Sequence, residues 1–204
     1  MSRKIYCSAF LLLFICSSLF AQVSDTSIVL LKSIDSTIVT DVRYATANNF
    51  TGKVLYPTAN VYLRKSAAEK LHEAEVELLS RYNLRLKVFD GYRPLSVQKK
   101  LWEIMPDTRY VANPKNGSRH NRGAAVDLTL IDSTGRELEM GTSYDDFTDR
   151  AHRDYEDLPE NVLNNRRFLE EIMVKYGFEP LSTEWWHFDY SGWKNYSILD
   201  EEIK

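Results

Sequence analysis

Cysteine is almost absent: Cys7 and Cys16 are the two in 204 residues, and both stand near the amino terminus. Also missing is an apolar run long enough to cross a bilayer with ease. Ala9 to Cys16 is continuous, but Ser17 and Ser18 interrupt it before Leu19, Phe20 and Ala21. Preceded by Arg3 and Lys4, residues 1–21 read instead as a secretory signal peptide cleaved after Ala21. Lipidation at Cys16 is disfavoured, because Phe14 and Ile15 are bulky where a small residue is expected. Cleavage removes both cysteines, so the exported chain, periplasmic or extracellular, has neither thiol nor disulfide. That excludes a thiol nucleophile and a cysteine-type structural metal site. It also excludes stable membrane insertion after processing and leaves stability to the core. Basic residues are not gathered along any stretch, and the formal charge is −3, so nothing points to nucleic-acid binding.

What remains has the composition of an ordinary soluble protein, 44% hydrophobic and 27% charged. No internal repeat, low-complexity linker or composition break follows Ala21, so residues 22–204 are expected to form one domain. Ser66-Ala67-Ala68-Glu69 has the pattern of a capping box, and Leu71, Ala74, Leu78 and Tyr82 keep helical spacing up to Asn83. Leu84, Leu86 and Val88 alternate with Arg85 and Lys87, which predicts a half-buried strand ending at Asp90-Gly91. A short helix is predicted from Ser96 to Ile104. Ala124 to Leu130 alternates again, with Val126, Leu128 and Leu130 on one side and Ala125, Asp127 and Thr129 on the other. Leu169, Ile172, Met173 and Tyr176 predict another helix stopped by Gly177, and Trp185 to Tyr190 a late strand. Helices and hairpin-scale strands without regular βαβ alternation indicate an α+β fold.

Two compact clusters carry chemistry: Ser118-Arg119-His120-Asn121-Arg122-Gly123-Ala124-Ala125-Val126-Asp127 and Glu184-Trp185-Trp186-His187. A hydrolytic zinc needs three protein ligands and one open position, with a further carboxylate to move protons. His120, Asp127 and His187 can supply the ligands and Glu184 the proton shuttle. The turn at Gly123 would bring His120 and Asp127 together. Glu184, three residues before His187, would face the opposite side of a regular strand, so the scheme requires a bend between them. His72, on the capped helix, and His152, in a charged segment, are assigned no metal.

Taken together, Ser118-x-His120-x-x-Gly123-x-Ala125-x-Asp127 and Glu184-x-Trp186-His187 resemble the zinc D,D-peptidase family, which also includes the Hedgehog amino-terminal domain. Three further stretches are similar to its D-alanyl-D-alanine dipeptidase branch. They are Asp41-Val42-Arg43-Tyr44-Ala45-Thr46 with Asn48-Asn49-Phe50-Thr51-Gly52, then Asp90-Gly91-Tyr92-Arg93-Pro94, then Met140-Gly141-Thr142.

The resemblance implies a single domain in which a small antiparallel sheet, flanked by helices, carries one zinc ion per chain. It implies His120, Asp127 and His187 as metal ligands, Glu184 as general base and acid, and Arg93 as the group that stabilises the tetrahedral intermediate. Ser118 would contact substrate, and an acidic residue after Met140-Gly141-Thr142 would hold the substrate ammonium: Asp145, with Asp146 as the alternative. Of the paired tryptophans, one is expected to pack in the core and the other to line the pocket; Trp185 is assigned to substrate. Tyr44, Asn48 and Phe50 are further pocket candidates. The implied activity is hydrolysis of the small dipeptide D-Ala-D-Ala to D-alanine, which in an exported enzyme suits recovery of dipeptide released during peptidoglycan turnover. A D,D-carboxypeptidase or endopeptidase acting on stem peptides is the rival enzyme, and a zinc-bearing recognition domain the rival without catalysis. Glu184 and Arg93 together favour an enzyme.

Overall fold

The computed structural model describes residues 26–204; the expected signal segment, 1–21, lies outside the described residues. Among the described residues there are seven strands and four α-helices, with short 3-10 and π turns between them. The strands are β1 (Ile28–Leu30), β2 (Val39–Thr40), β3 (Tyr62–Arg64), β4 (Arg85–Asp90), β5 (Ala125–Ile131), β6 (Phe178–Pro180) and β7 (His187–Tyr190). The helices are α1 (Leu31–Ile34), α2 (Lys65–Glu77), α3 (Leu95–Ile104) and α4 (Glu160–Lys175). β1 and β3 form a separate antiparallel pair. The main sheet has the order β2-β4-β5-β7-β6. Its pairings are antiparallel apart from β2, which runs parallel to β4, so the expected all-antiparallel sheet gains one parallel edge.

The alternation read in β4 and β5 is the packing. Leu86 stands opposite Leu130 and Val88 opposite Leu128, with Val126 opposite Phe188 on β7. All six are buried, and they share one core with Leu71, Ala74 and Leu78 and with Leu169 and Met173 of α4. Fully burying such a side chain stabilises by about 1.5–3 kcal/mol. The alternate face, with Ala125, Asp127 and Thr129, is buried as well, beneath the site.

Element ends depart from the sequence reading in two places. α2 starts at Lys65 with Arg64 at the N-cap and no side-chain cap, so Ser66 lies inside the first turn and the capping box is not formed. The cause is β3: Arg64 belongs to that strand, and its backbone N–H donates to Gly123 O at 2.8 Å. The helix therefore begins where the strand ends. The second departure is at β7, which begins at His187; Trp185 and Trp186 form a turn. Elsewhere the expected stops hold: α2 runs on through a π-helical turn to Asn83 at φ 54°, and Gly177 follows α4 at φ 85°.

An acid-sensitive tie joins α2 to α4. Glu77 takes hydrogen bonds from Lys175 and from the Tyr176 hydroxyl, and these hold its carboxyl down from 4.5 to about 2. A carboxyl depressed in the folded state stabilises above its unfolded value and loses that contribution as pH falls through the folded one. Between pH 4.5 and about 2, the urea midpoint of the wild type should therefore fall more steeply than that of Glu77→Gln, with chelator present throughout. Parallel curves would show that the tie contributes nothing.

Candidate active site

Three adjacent strands deliver the polar groups to one line. Asp127 on β5 stands directly opposite His187 on β7, and on its other side opposite Asp90 on β4. A register shift between Val88 and Asp90 makes the second pairing. Without it Phe89 would oppose Asp127, so this irregularity aims Asp90 at the site. His120 arrives from a 3-10 turn, His120–Arg122, closed by Gly123 at φ 66°. The positive φ calls for glycine there, and an added Cβ would also press within 2.5 Å of Ile28 Cδ1, so that side chain would have to shift. The turn brings His120 back over the start of β5, as the sequence required.

One ligand atom each from His120, Asp127 and His187 lies within 4.8 Å of the others. Asp127 Oδ1 is 3.0 Å from His187 Nδ1 and 3.4 Å from His120 Nε2, and those two nitrogens are 3.1 Å apart. Their protonation is decided by the outer nitrogens. His120 Nδ1 is 2.7 Å from the Gly91 carbonyl, which only accepts, so a neutral His120 turns the lone pair of Nε2 inward. His187 Nε2 faces Asp189 Oδ1 at 3.0 Å. With both imidazoles neutral, two lone pairs and a carboxylate converge, an arrangement that needs a cation at its centre. Burial alone would push His187 toward neutrality, but its hydrogen bonds with Asp127 and Asp189 outweigh it and raise the imidazole to about 10; a divalent cation bound there would displace that proton from Nδ1. The donor set, with outer partners on both histidines, fits a divalent metal held by nitrogen and oxygen.

The required bend is present. His187 N–H donates to Glu184 O at 3.4 Å, closing a turn that brings Glu184 Oε2 to 3.9 Å from His187 Nδ1. Burial, with Asp127 and Asp145 nearby, pushes the Glu184 carboxyl up to about 8 against the pull of His187 and Arg93. Arg93 is buried and pinned. Its Nε and Nη2 donate to Asp90 Oδ2 at 3.0 and 2.7 Å, Nη1 donates to Gln98 Oε1 at 3.0 Å, and the guanidinium lies over the Tyr44 ring. Asp90 is held in turn by the Tyr56 hydroxyl at 2.8 Å and by Gly91 N–H at 2.9 Å.

A cleft of about 140 Å³ runs past these groups. Ser118, Arg93, Asp145, Glu184 and the three candidate ligands line it, with Tyr44, Phe50 and Trp186 among its aromatic walls. Ser118 Oγ donates to Asn121 Oδ1 at 3.0 Å. Asp145, at φ 61°, enters the cleft, whereas Asp146 turns away to accept from Thr148, which favours Asp145 of the two candidates. Asn48 is not among the lining residues.

Trp185 is the misplaced assignment. It points out of the cleft, Nε1 donating to Thr142 Oγ1 at 2.8 Å, and Trp186 takes the cleft wall instead. Because the pair sits in a turn, alternation along a strand could not choose between them. Two groups were missed. Tyr144 donates to Asp127 Oδ2 at 3.1 Å, orienting the oxygen that faces away from the histidines. Asp189, the outer partner of His187, did leave a signal: residues i and i+2 of a strand share a face.

The chain is similar to known proteins along most of its length. A family model described as D-ala-D-ala dipeptidase matches residues 24–200. The D-alanyl-D-alanine dipeptidase of Escherichia coli (strain K12) is 37% identical over 163 residues, covering 80% of this chain and 84% of its own length. That of Enterococcus faecium is 34% identical, covering 72% of this chain and 83% of its own. Among solved structures, VanYB in complex with D-Alanine-D-Alanine is 18% identical with a TM-score of 0.45, over 69% of this chain and 78% of that one. A match spanning nearly every described element, with identity above 30% to full-length relatives, places the chain in the D-Ala-D-Ala dipeptidase family of peptidases.

Proposed function

We propose that this chain hydrolyses D-Ala-D-Ala to D-alanine with one zinc held by His120, Asp127 and His187. Bound there, zinc supplies Lewis acidity and brings the ionisation of water toward neutral pH. The chain's own groups do the rest. Glu184 takes the proton of the attacking water on its carboxylate and returns it to the departing amine, a shuttle suited to a carboxyl whose affinity for protons is raised by burial. Arg93 faces the oxyanion that develops during attack. Fixed by Asp90 and Gln98, it needs no reorganisation as that charge appears.

Asp145 carries the choice of a free dipeptide over a longer peptide. It lines the same small cleft as Glu184 and the ligand cluster, and its Oδ2 is buried without a hydrogen-bond partner among the described residues. Burial, with Asp127 nearby, raises this carboxyl to about 7. A buried acceptor left open next to a reaction centre calls for a cationic donor, and the ammonium of a dipeptide stands one residue from the scissile bond. A blocked amine offers no charge and leaves Oδ2 without a donor, Oδ1 keeping its contact with the Tyr44 hydroxyl at 3.4 Å, a cost of about 1 to 3 kcal/mol. Free D-Ala-D-Ala is therefore expected to be cleaved efficiently, and N-acyl-D-Ala-D-Ala and a stem pentapeptide poorly. Asp145→Asn should narrow the gap by raising KM for the free dipeptide. Release of D-alanine, with and without chelator, is the readout, and equal rates on dipeptide and pentapeptide would replace this reading with a carboxypeptidase.

The proposal includes export. It is supported by Arg3 and Lys4 ahead of the apolar run, and by a family match that begins at residue 24, just past Ala21. No described helix is long and apolar enough to cross a membrane. Sequencing the amino terminus of protein recovered outside the cytoplasm should give Gln22; an uncleaved Met1 would refute it.

A further inference from the structure

The turn that carries Glu184 is weakly held by its own backbone. Glu184 N–H donates to Leu181 O at 3.4 Å, His187 N–H to Glu184 O at 3.4 Å and Leu181 N–H to His187 O at 3.3 Å. All three are beyond the usual length of about 2.9–3.0 Å for such bonds. Firmer contacts reach it from outside: Trp185 N–H donates to Ala151 O and Trp186 O accepts from Leu128 N–H, both at 3.1 Å, and the two ends of the turn are joined by a single side chain. Arg153 Nε donates to Leu181 O at 2.9 Å, and Nη2 donates to Trp185 O at 2.9 Å and His187 O at 3.1 Å. Its backbone N–H adds a bond to Ser182 O at 2.9 Å. Residues 181–187 thus close around one guanidinium, which bridges the two ends of the loop.

That guanidinium is itself fixed. Nη1 pairs with Glu170 Oε2 of α4 at 3.0 Å, and the group lies 4.4 Å from the centroid of the Phe188 ring. The planar fork meets carbonyls on separate sides at set angles, which a lysine ammonium, a compact charge on a flexible stem, cannot reproduce.

We propose that Arg153, anchored by Glu170, is a positioning residue that sets the 181–187 turn so that the Glu184 carboxylate stands beside the metal ligands. The inference rests on the peptidase reading above. Arg153 does not touch the cleft; it acts through the backbone on both Glu184 and His187. A merely structural role would lower the melting temperature and leave each folded, zinc-loaded molecule fully active.

The test compares wild type, Arg153→Lys and Glu170→Gln, with kcat and KM on D-Ala-D-Ala taken per zinc-loaded chain. The rate of zinc release to a chromogenic chelator is measured beside them. In Arg153→Lys, KM is expected to stay within about threefold while kcat falls about 100-fold, the effect of displacing a reacting group by about 1 Å. Zinc release should quicken about tenfold as the His187 carbonyl loses its tether. Glu170→Gln keeps the carbonyl contacts and should move kcat the same way by about fivefold; it decides the matter if Arg153→Lys does not fold. Unchanged kcat and unchanged zinc release, whatever the melting temperature does, would overturn the inference. A wild type that leaves D-Ala-D-Ala intact refutes the peptidase reading instead. Zinc release alone then decides: faster in Arg153→Lys upholds the positioning, and equal rates overturn it.

Discussion

Glu184→Gln is expected to lower kcat by about 1000-fold, within the range of 10²–10⁴ typical of a general acid–base group, while the protein still binds one zinc per chain. The two effects separate because the residues have different duties. Glu184 is outside the mutually close set of ligand atoms, so an amide of the same shape leaves the donor set intact. It cannot, however, take a proton from water or give one to an amine. KM should change little, since Asp145 and not Glu184 is the group proposed to hold the ammonium. D-alanine release and zinc content measured on one preparation check both halves. Turnover within tenfold of wild type would put the base elsewhere, with Asp145 the next carboxylate along the cleft.

The chemistry was more legible in the sequence than the scaffolding that aims it. His120, Asp127, His187 and Glu184 stood out because few residue types bind metal or move protons, and they stand in two short stretches. The core was legible for a similar reason: Val126, Leu128 and Leu130 alternate along β5, and alternate residues of a strand share one face, here the one packed into the apolar core. The parallel edge strand β2 left no trace, because two residues are too few to show a period. The capping pattern at Ser66 misled because a backbone bond from Arg64 to Gly123, distant in sequence, sets where the helix starts.

The tryptophan pair shows where local pattern stops. Trp185 and Trp186 are equivalent in any strand reading, and only the turn from Glu184 to His187 separates them. That turn is in turn set by Arg153, some thirty residues away, through carbonyl groups that every residue possesses. Contacts to main-chain oxygens leave no residue-type signature, which is why Arg153 was invisible while Glu184, which it serves, was plain. Arg166 is a parallel case. It donates to Met140 O, His152 O and Arg150 O, so it bridges both ends of the loop that carries Asp145.

Replacing His187 by Ala should remove zinc and hydrolysis together. Three ligands and one open position are the minimum for a hydrolytic site, and His187 supplies the nitrogen closest to Asp127 Oδ1. Its loss also strips Asp189 of its imidazole partner, leaving Arg119 at 3.3 Å as that carboxylate's counter-ion. Asp189→Asn makes a graded comparison, since it keeps the ligand and weakens only its support. Zinc affinity should then fall by about 10- to 100-fold, with activity recovered at saturating metal. Added zinc should raise the melting temperature of chelator-stripped wild type, because a ligand that binds only the folded chain stabilises it. It should not raise that of His187→Ala. Zinc content, D-alanine release and the melting curve thus rank the three proteins in one order. Full zinc and full turnover in His187→Ala would take His187 out of the ligand set and leave His120 and Asp127 short of a catalytic metal site.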